Sequence, residues 1–339
     1  MSESLAVKYR PKEWNEVSSQ SSMVRILSKQ VESGKVKNAY LFCGASGCGK
    51  TTIARIFADK LNNNIGRYIE IDGASNNGVD NVKSIIKSAQ ERSLDSKYKV
   101  YIMDECHSLT KQAWEAFLKC IEEPPTYTIF IFCTTDPQKI PPTILNRVQR
   151  FNVSRISNDK IIERLRYICD KEGFNNYDEA CDYIAKISNG GMRDAITTLE
   201  KCASYDNDLS INNVIEALGN YSYDVFFDLM NSIIDGKEDK VIQIIESYYN
   251  YGNDLKIFVD KFFSFCIDIS KFILFNDIGQ TSLPSFTKDK VIECTKINNP
   301  LKYYTYVIDN LLNVKLTIRG DSNIKDTLIV LFLQLTRGK

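Results

Sequence analysis

The 339-residue chain has a single histidine, His107, and no C-x-x-C pair among its ten cysteines. The usual residues of a structural zinc site are therefore missing, and no zinc is expected. No uninterrupted apolar run reaches the roughly 18 residues a membrane helix needs. The opening stretch, MSESLAVKYRPKEW, lacks the apolar core of a signal peptide. These absences lead us to expect a cytoplasmic protein with reduced thiols. Cys43, Cys48, Cys106, Cys120, Cys133, Cys169, Cys181, Cys202, Cys266 and Cys294 would then pack as small hydrophobes. An excess of either charge is missing too, since 43 basic residues balance 43 acidic ones. That excludes a polycation that coats nucleic acid over its whole surface, and confines any such contact to a local face or an assembly.

What is present is a globular composition, 43% hydrophobic and 25% charged. The length calls for about two or three domains. In the first half, strand-like apolar runs alternate with amphipathic helical patterns. NAYLFC is followed by a glycine loop and the helical IARIFADKL. RYIEID precedes the helix NVKSIIKSAQERS. KVYIMDE precedes KQAWEAFLKCIEE, which Pro124 and Pro125 stop. TIFIFCTT is a fourth strand, and the pattern fades after Phe151. This order predicts a parallel sheet with helices on both faces. From Asp159 the pattern is helical: DKIIERLRYICDKEG, YDEACDYIAKIS, MRDAITTLEKCASY and LSINNVIEALG, with Ser210 and Gly219 as caps of the last. The remainder is helical and rich in Phe, Tyr, Ile and Asn.

Two segments carry chemistry. Gly44-Ala45-Ser46-Gly47-Cys48-Gly49-Lys50-Thr51 matches G-x-x-x-x-G-K-[ST] in full, between a strand and a helix. Glycines let backbone N–H groups turn toward phosphate oxygens, and the following helix adds its positive end. Lys50 can reach the β- and γ-phosphates, and the Thr51 hydroxyl can ligate Mg²⁺. The second segment ends a strand in Asp104 and Glu105, 53 residues beyond Thr51. Asp104 would hold Mg²⁺, largely through water, and Glu105 would orient the attacking water. His107 beside them is either a catalytic group or a polar linker. Thr134 and Thr135 end the fourth strand. A hydroxyl there can sense the γ-phosphate or hold the water, and can equally cap the strand.

Taken together these segments resemble the AAA+ ATPases, and more narrowly the gamma/tau subunit family of bacterial DNA polymerase III clamp loaders, over about residues 4 to 220. LAVKYRPKEWNEV resembles the family's opening motif, and NAYLFCGASGCGKTTIAR its P-loop with flanks. KVYIMDECHSLTKQAWEAFLKCIEEPP resembles its acidic box and helix. CTTDPQKIPPTILNRVQRF resembles its segment from sensor 1 to the arginine finger, and GGMRDAITTLEK its sensor 2 helix. The resemblance implies that Tyr9, Arg10, Pro11 and Val17 line the adenine pocket, with Thr52 beside the P-loop residues. It makes Thr135 sensor 1, Arg193 sensor 2, and Arg147 an arginine finger acting on ATP held by a neighbouring subunit. Read on its own, Arg147 is a surface ion-pair residue.

The resemblance also implies an α/β P-loop AAA+ domain over residues 1–154, an all-α lid over 155–219 and an all-α collar over 220–339. An ordinary helical core explains much of the collar's pattern as well. The implied cofactors are ATP and Mg²⁺. The implied partners are other clamp-loader subunits in a hetero-oligomeric, pentameric ring, a sliding clamp met through residues 75 to 92, and primer–template DNA. The chain departs from the family at three points: Asn146 and Val148 flank Arg147, the four-cysteine zinc module is missing, and Asn76, Asn77 and Gly78 stand where basic residues face DNA. A bacterial cell or a phage-infected host fits this divergence. The rival readings are another AAA+ DNA-processing ATPase, of branch-migration or initiator type, and a clamp-loader subunit that binds ATP mainly as a structural element.

Overall fold

The run Ala39–Cys43 is buried at every residue, as a central parallel strand must be, and it forms β1. A computed structural model describes residues 3–93, 95–218, 223–284, 287–317 and 323–337. β1 pairs with β4 (Thr128–Thr134) on one side and with β5 (Gln149–Asn152) on the other. β3 (Lys99–Asp104) continues the sheet beyond β4, and β2 (Ile69–Asp72) closes that edge. All pairs are parallel, in the order β2-β3-β4-β1-β5. The sequence reading missed β5. Only Phe151 in it is buried, and four residues leave too short an alternation to stand out.

Alternation along β1 divides the core between the two faces of the sheet. Leu41 and Cys43 join Tyr101, Phe130, Phe132 and the buried side of α5 (Lys111–Glu122), with α4 (Val79–Ala89) beside it. Tyr40 and Phe42 join Ile102, Ile131 and the buried side of α3 (Lys50–Leu61), with α2 (Ser21–Ser33) beside that. α5 starts where the Thr110 hydroxyl accepts from the Ala113 N–H at 3.2 Å. It stops before the two prolines, as expected. All ten cysteines are buried and free.

The remaining elements of the first compact unit, residues 1–208, are helices. α1 (Leu5–Lys8) opens it, and α6 (Pro142–Leu145) precedes β5. α7 (Asn158–Glu172), α8 (Asp178–Ile187) and α9 (Met192–Tyr205) follow the sheet. α7 ends on Gly173 at φ +74°, the left-handed C-cap that glycine adopts without strain.

The second unit, residues 209–339, is helical throughout its described part. It begins with α10 (Ile211–Ala217), for which Ser210 occupies the N-cap position. Gly219, the expected C-cap residue, lies outside the described residues. α11 (Asp224–Asp235), α12 (Glu238–Asn250), α13 (Leu255–Phe275), α14 (Lys288–Cys294), α15 (Pro300–Thr317) and α16 (Ile324–Arg337) complete it. Phe226, Phe258, Phe262, Phe265 and Phe332 form its aromatic centre. Arg337 of α16 forks onto both oxygens of Glu238 in α12, each at 2.8 Å. Among the described residues no helix is long and apolar enough to cross a membrane.

Phe132 of β4 is fully buried against Trp114, Phe117 and Phe130. Phe132→Ala is expected to destabilise the first unit by about 3–5 kcal/mol, read from urea unfolding of the full chain. A loss below about 1 kcal/mol would mean this face of the sheet is not packed as described.

Candidate active site

β1 delivers the glycine loop to the carboxyl edge of the sheet, and α3 leaves that loop at Lys50. The fit is tight because β5 lies alongside. Val153 N–H donates to the Cys43 carbonyl at 2.7 Å, and a Cβ on Gly44 would stand 2.3 Å from the Val153 carbonyl oxygen. Only glycine can hold that position without moving a strand. Gly47 (φ +71°) and Gly49 (φ +101°) turn the loop through the left-handed region. Lys50 is buried, and its ammonium is folded onto the Gly44 and Ala45 carbonyls, each at 3.0 Å.

β3 delivers the acidic pair to the same edge. Its parallel pairing with β4, and that of β4 with β1, sets Asp104 beside the start of α3. The Thr51 hydroxyl donates to Asp104 Oδ2 at 2.7 Å. Asp104 Oδ1 accepts from the Glu105 N–H at 3.0 Å. Glu105 itself sits at φ +45°, a strained conformation for a residue with a Cβ. Two neighbours hold its carboxylate: the Thr135 hydroxyl donates to Oε2 at 3.3 Å, and His107 Nδ1 lies 3.3 Å from the same oxygen. His107 Nδ1 is also 3.2 Å from the Thr134 hydroxyl. The sequence does not pair Glu105 with Thr135, because that contact is made across two strand ends. His107 is two residues away, on the turn that follows β3, and it is that turn which aims it at the same oxygen.

These groups face a cavity of about 360 Å³. Ser46, Gly47, Cys48, Gly49, Lys50, Thr51 and Thr52 line one end, with Asp104 and Glu105. Tyr9, Arg10, Pro11 and Val17 line the other, and Arg193 at the start of α9 reaches in from the helical side. The backbone there is bonded directly to the loop, with Met192 N–H donating to the Gly47 carbonyl at 3.0 Å. Thr135 meets the cavity only through Glu105. Arg147 does not line it. Its guanidinium is paired with Glu122 at 2.6 Å and donates to the Thr143 carbonyl at 2.7 Å, half-exposed at the end of α6.

Three charged lining residues were not assigned to the site from sequence. Arg55 and Glu70 pair at 2.7 Å across α3 and β2, and Arg164 comes from α7. Arg55 closes the P-loop segment NAYLFCGASGCGKTTIAR without a role of its own there, and Glu70 and Arg164 have no part in the two chemistry-bearing segments. Arg55 is one helical turn past Thr51, and that spacing is the one signal that pointed to it. The cavity is rich in cations. Burial and the guanidiniums of Arg55 and Arg193 pull the pKa of Arg10 down. Arg55 Nε is buried with no hydrogen-bond partner. An anionic ligand with several oxygens fits this surplus of positive charge and open donors. Thr51 and Asp104 together offer a divalent cation oxygen ligands of the kind Mg²⁺ takes.

The loop, the acidic pair and the helical flap over them define a P-loop protein of the AAA+ fold. RuvB of Thermotoga maritima, described as a Holliday junction branch migration motor, shares the fold at a TM-score of 0.53 and 21% identity, over 67% of this chain and 79% of that one. Residues 163–204 match a family described as RCF1/5-like AAA+ ATPase lid domain. Residues 66–157 match DNA polymerase III delta subunit, and 209–299 match domain III of DNA polymerase III subunits gamma and tau. The gamma subunit of DNA polymerase III from Buchnera aphidicola subsp. Schizaphis graminum is 33% identical over 270 residues, 73% of this chain and 74% of that protein. The tau subunit of Bacillus subtilis is 34% identical over 76% of this chain and 50% of its own length. The gamma/tau subunit of Mycoplasma genitalium is 29% identical over 89% and 53%. The chain belongs to the DNA polymerase III gamma/tau family. It spans about half the length of the Bacillus and Mycoplasma relatives.

Gly44→Ala is expected to lower the stability of the first unit by about 2 kcal/mol or more, because a strand carbonyl must move. Gly78→Ala, where a Cβ meets nothing within 4 Å, is expected to cost under about 1 kcal/mol. Thermal unfolding of both variants checks this, and equal losses would contradict it.

Proposed function

We propose that the chain is the ATP-hydrolysing motor subunit of a DNA sliding-clamp loader, which opens the clamp and places it on primer–template DNA. The observation that carries the reading is the single cavity uniting Lys50, Thr51, Asp104, Glu105 and Arg193 in a gamma/tau chain. ATP is the substrate. Thr51 and Asp104 would hold Mg²⁺, which would supply neutralisation of phosphate charge when bound.

The residues of the chain divide the work as follows. The N–H groups of residues 45–51 and the start of α3 receive the phosphates. Lys50 turns its ammonium from the Gly44 and Ala45 carbonyls toward the β- and γ-oxygens. Glu105, carried at a fixed strand end, orients the attacking water and accepts its proton. Thr135 holds the Glu105 carboxylate and senses the γ-phosphate side. Arg193 adds a guanidinium from the lid, so that lid position depends on what the cavity holds. Tyr9, Arg10, Pro11 and Val17 flank the base.

Arg147 acts on a neighbour. It stands outside its own chain's cavity, half-exposed, and its partner Glu122 sits on the surface, where such a pair contributes little. Such a guanidinium can leave its partner at small cost and stabilise the transition state in the next subunit's site. Occupied sites would then hold a ring of subunits in the form that grips an open clamp, and hydrolysis would release it. The clamp would meet the surface around α4. The second unit would form the collar. Exposed apolar side chains on it, including Ile257, Leu274, Phe275 and Val330, support an interface there.

Two variants separate these roles. Lys50→Ala is expected to abolish ATP binding or turnover in its own chain. Arg147→Ala is expected to leave ATP affinity within about twofold and to lower clamp- and DNA-stimulated hydrolysis by about a hundredfold or more. Normal stimulated turnover in Arg147→Ala would remove the finger assignment.

A further inference from the structure

The start of the chain is held by the lid helices. The backbone N–H of Leu5 donates to Glu200 Oε1 of α9 at 3.2 Å. Glu172, the last residue of α7, accepts from the Tyr9 hydroxyl at 2.5 Å and from the Lys8 ammonium at 2.6 Å. Arg164, about two turns earlier on α7, donates to the Tyr9 carbonyl at 2.7 Å. Its guanidinium also lies 5.1 Å from the Tyr167 ring, and the Tyr9 ring meets Tyr167 edge-on at 6.2 Å. The two partners respond as a bonded pair does. Burial and the bond to Glu172 push the Tyr9 phenol up to about 12, and the bonds from Lys8 and Tyr9 hold the Glu172 carboxyl below its usual range.

A few residues later the same strand of chain is held by the sheet body instead. Glu13 pairs with Lys60 of α3 at 2.6 Å, and Trp14 and Val17 pack against the core beneath α3. Arg10 and Pro11 lie between the two anchorages, and both face the cavity.

We propose that Arg164 and Glu172 are positioning residues for the nucleoside end of the cavity, holding Tyr9 and Arg10 on the lid. The inference rests on the nucleotide-site reading given above. The phosphate end, Gly44 to Thr51, is built on the sheet. In the opposite wall, Tyr9 is held to the lid by bonds that the ligand does not make, and Arg10 follows it directly, whereas Val17 stays with the sheet body. Lifting the lid therefore draws Tyr9 and Arg10 away from the loop, and a ligand that touches both ends draws the two bodies together. A ligand with phosphates but no nucleoside engages the sheet-borne loop and Arg193, and leaves Tyr9 and Arg10 without a partner.

That difference supplies the test. The full chain and its Glu172→Gln, Arg164→Gln and Lys50→Ala variants are titrated with Mg-ATP and with inorganic tripolyphosphate, each by displacement of a fluorescent ATP analogue. Wild type is expected to bind both, and Lys50→Ala to lose affinity for both. Glu172→Gln and Arg164→Gln are expected to weaken ATP about five- to tenfold and to leave tripolyphosphate within about twofold of wild type. Wild-type ATP affinity in both variants would overturn the inference. Equal losses for the two ligands would also overturn it, because they would show the lid as a whole loosened. Glu172→Gln keeps an acceptor but loses the charge, whereas Tyr9→Phe removes the hydroxyl that donates to Glu172. Combined with Glu172→Gln, it is expected to weaken ATP no further than either change alone, and additive losses would count against the strap. A wild-type chain that binds no ATP would instead defeat the nucleotide reading, and this inference with it.

Discussion

The placement of β1 between β4 and β5 is the constraint on which the cavity depends. A strand buried on both sides and both faces fixes where the loop after it emerges. The contact between Gly44 and the Val153 carbonyl then leaves that loop one path. Because β4 also pairs with β3, the same register brings Asp104 to within a hydrogen bond of Thr51. The glycine loop and the acidic pair lie far apart in sequence, and the parallel sheet makes them neighbours. The two apolar clusters on either side of the sheet hold this arrangement, and their burial is the main stabilising term.

The helices that follow the sheet meet this frame at the glycine loop itself. Met192 N–H donates to the Gly47 carbonyl, and behind it, within the helical part, Ile156 N–H donates to the Gly190 carbonyl at 3.0 Å. Gly190 holds φ +81°, where a Cβ would stand 2.6 Å from Arg155 Cβ. The start of the chain crosses between frame and lid beside the cavity. Arg10, Lys50, Arg55, Arg164 and Arg193 outnumber the carboxylates of Glu70, Asp104 and Glu105 in one space, so an anionic ligand relieves repulsion as well as forming bonds.

Much of this was legible in the sequence because it is local. GASGCGKT carries its own backbone requirement, and YIMDE shows a buried strand ending in two acids. Four strands and the helices between them followed from apolar period and proline stops. β5 did not, since its position depends on pairing with β1 and its residues carry almost no pattern of their own. Nor did the partners of Glu105 or of Tyr9. Thr135, Arg164 and Glu172 reach them from distant segments, and polar residues on a helix face look alike until the fold shows which of them turns inward. Arg147 stood out through its resemblance to a family motif, and the single chain shows it paired on the surface with Glu122.

The proposed role requires that chemistry occur in this cavity and depend on the carboxylate that Thr135 and His107 hold. The most direct measurement is ATP binding and turnover by Glu105→Gln, assembled with the clamp, the other loader subunits and primed DNA. Glutamine keeps the shape and removes the base. The expected result is ATP affinity close to wild type with hydrolysis reduced by about a hundredfold or more. Turnover near the wild-type rate in that complex would contradict the account.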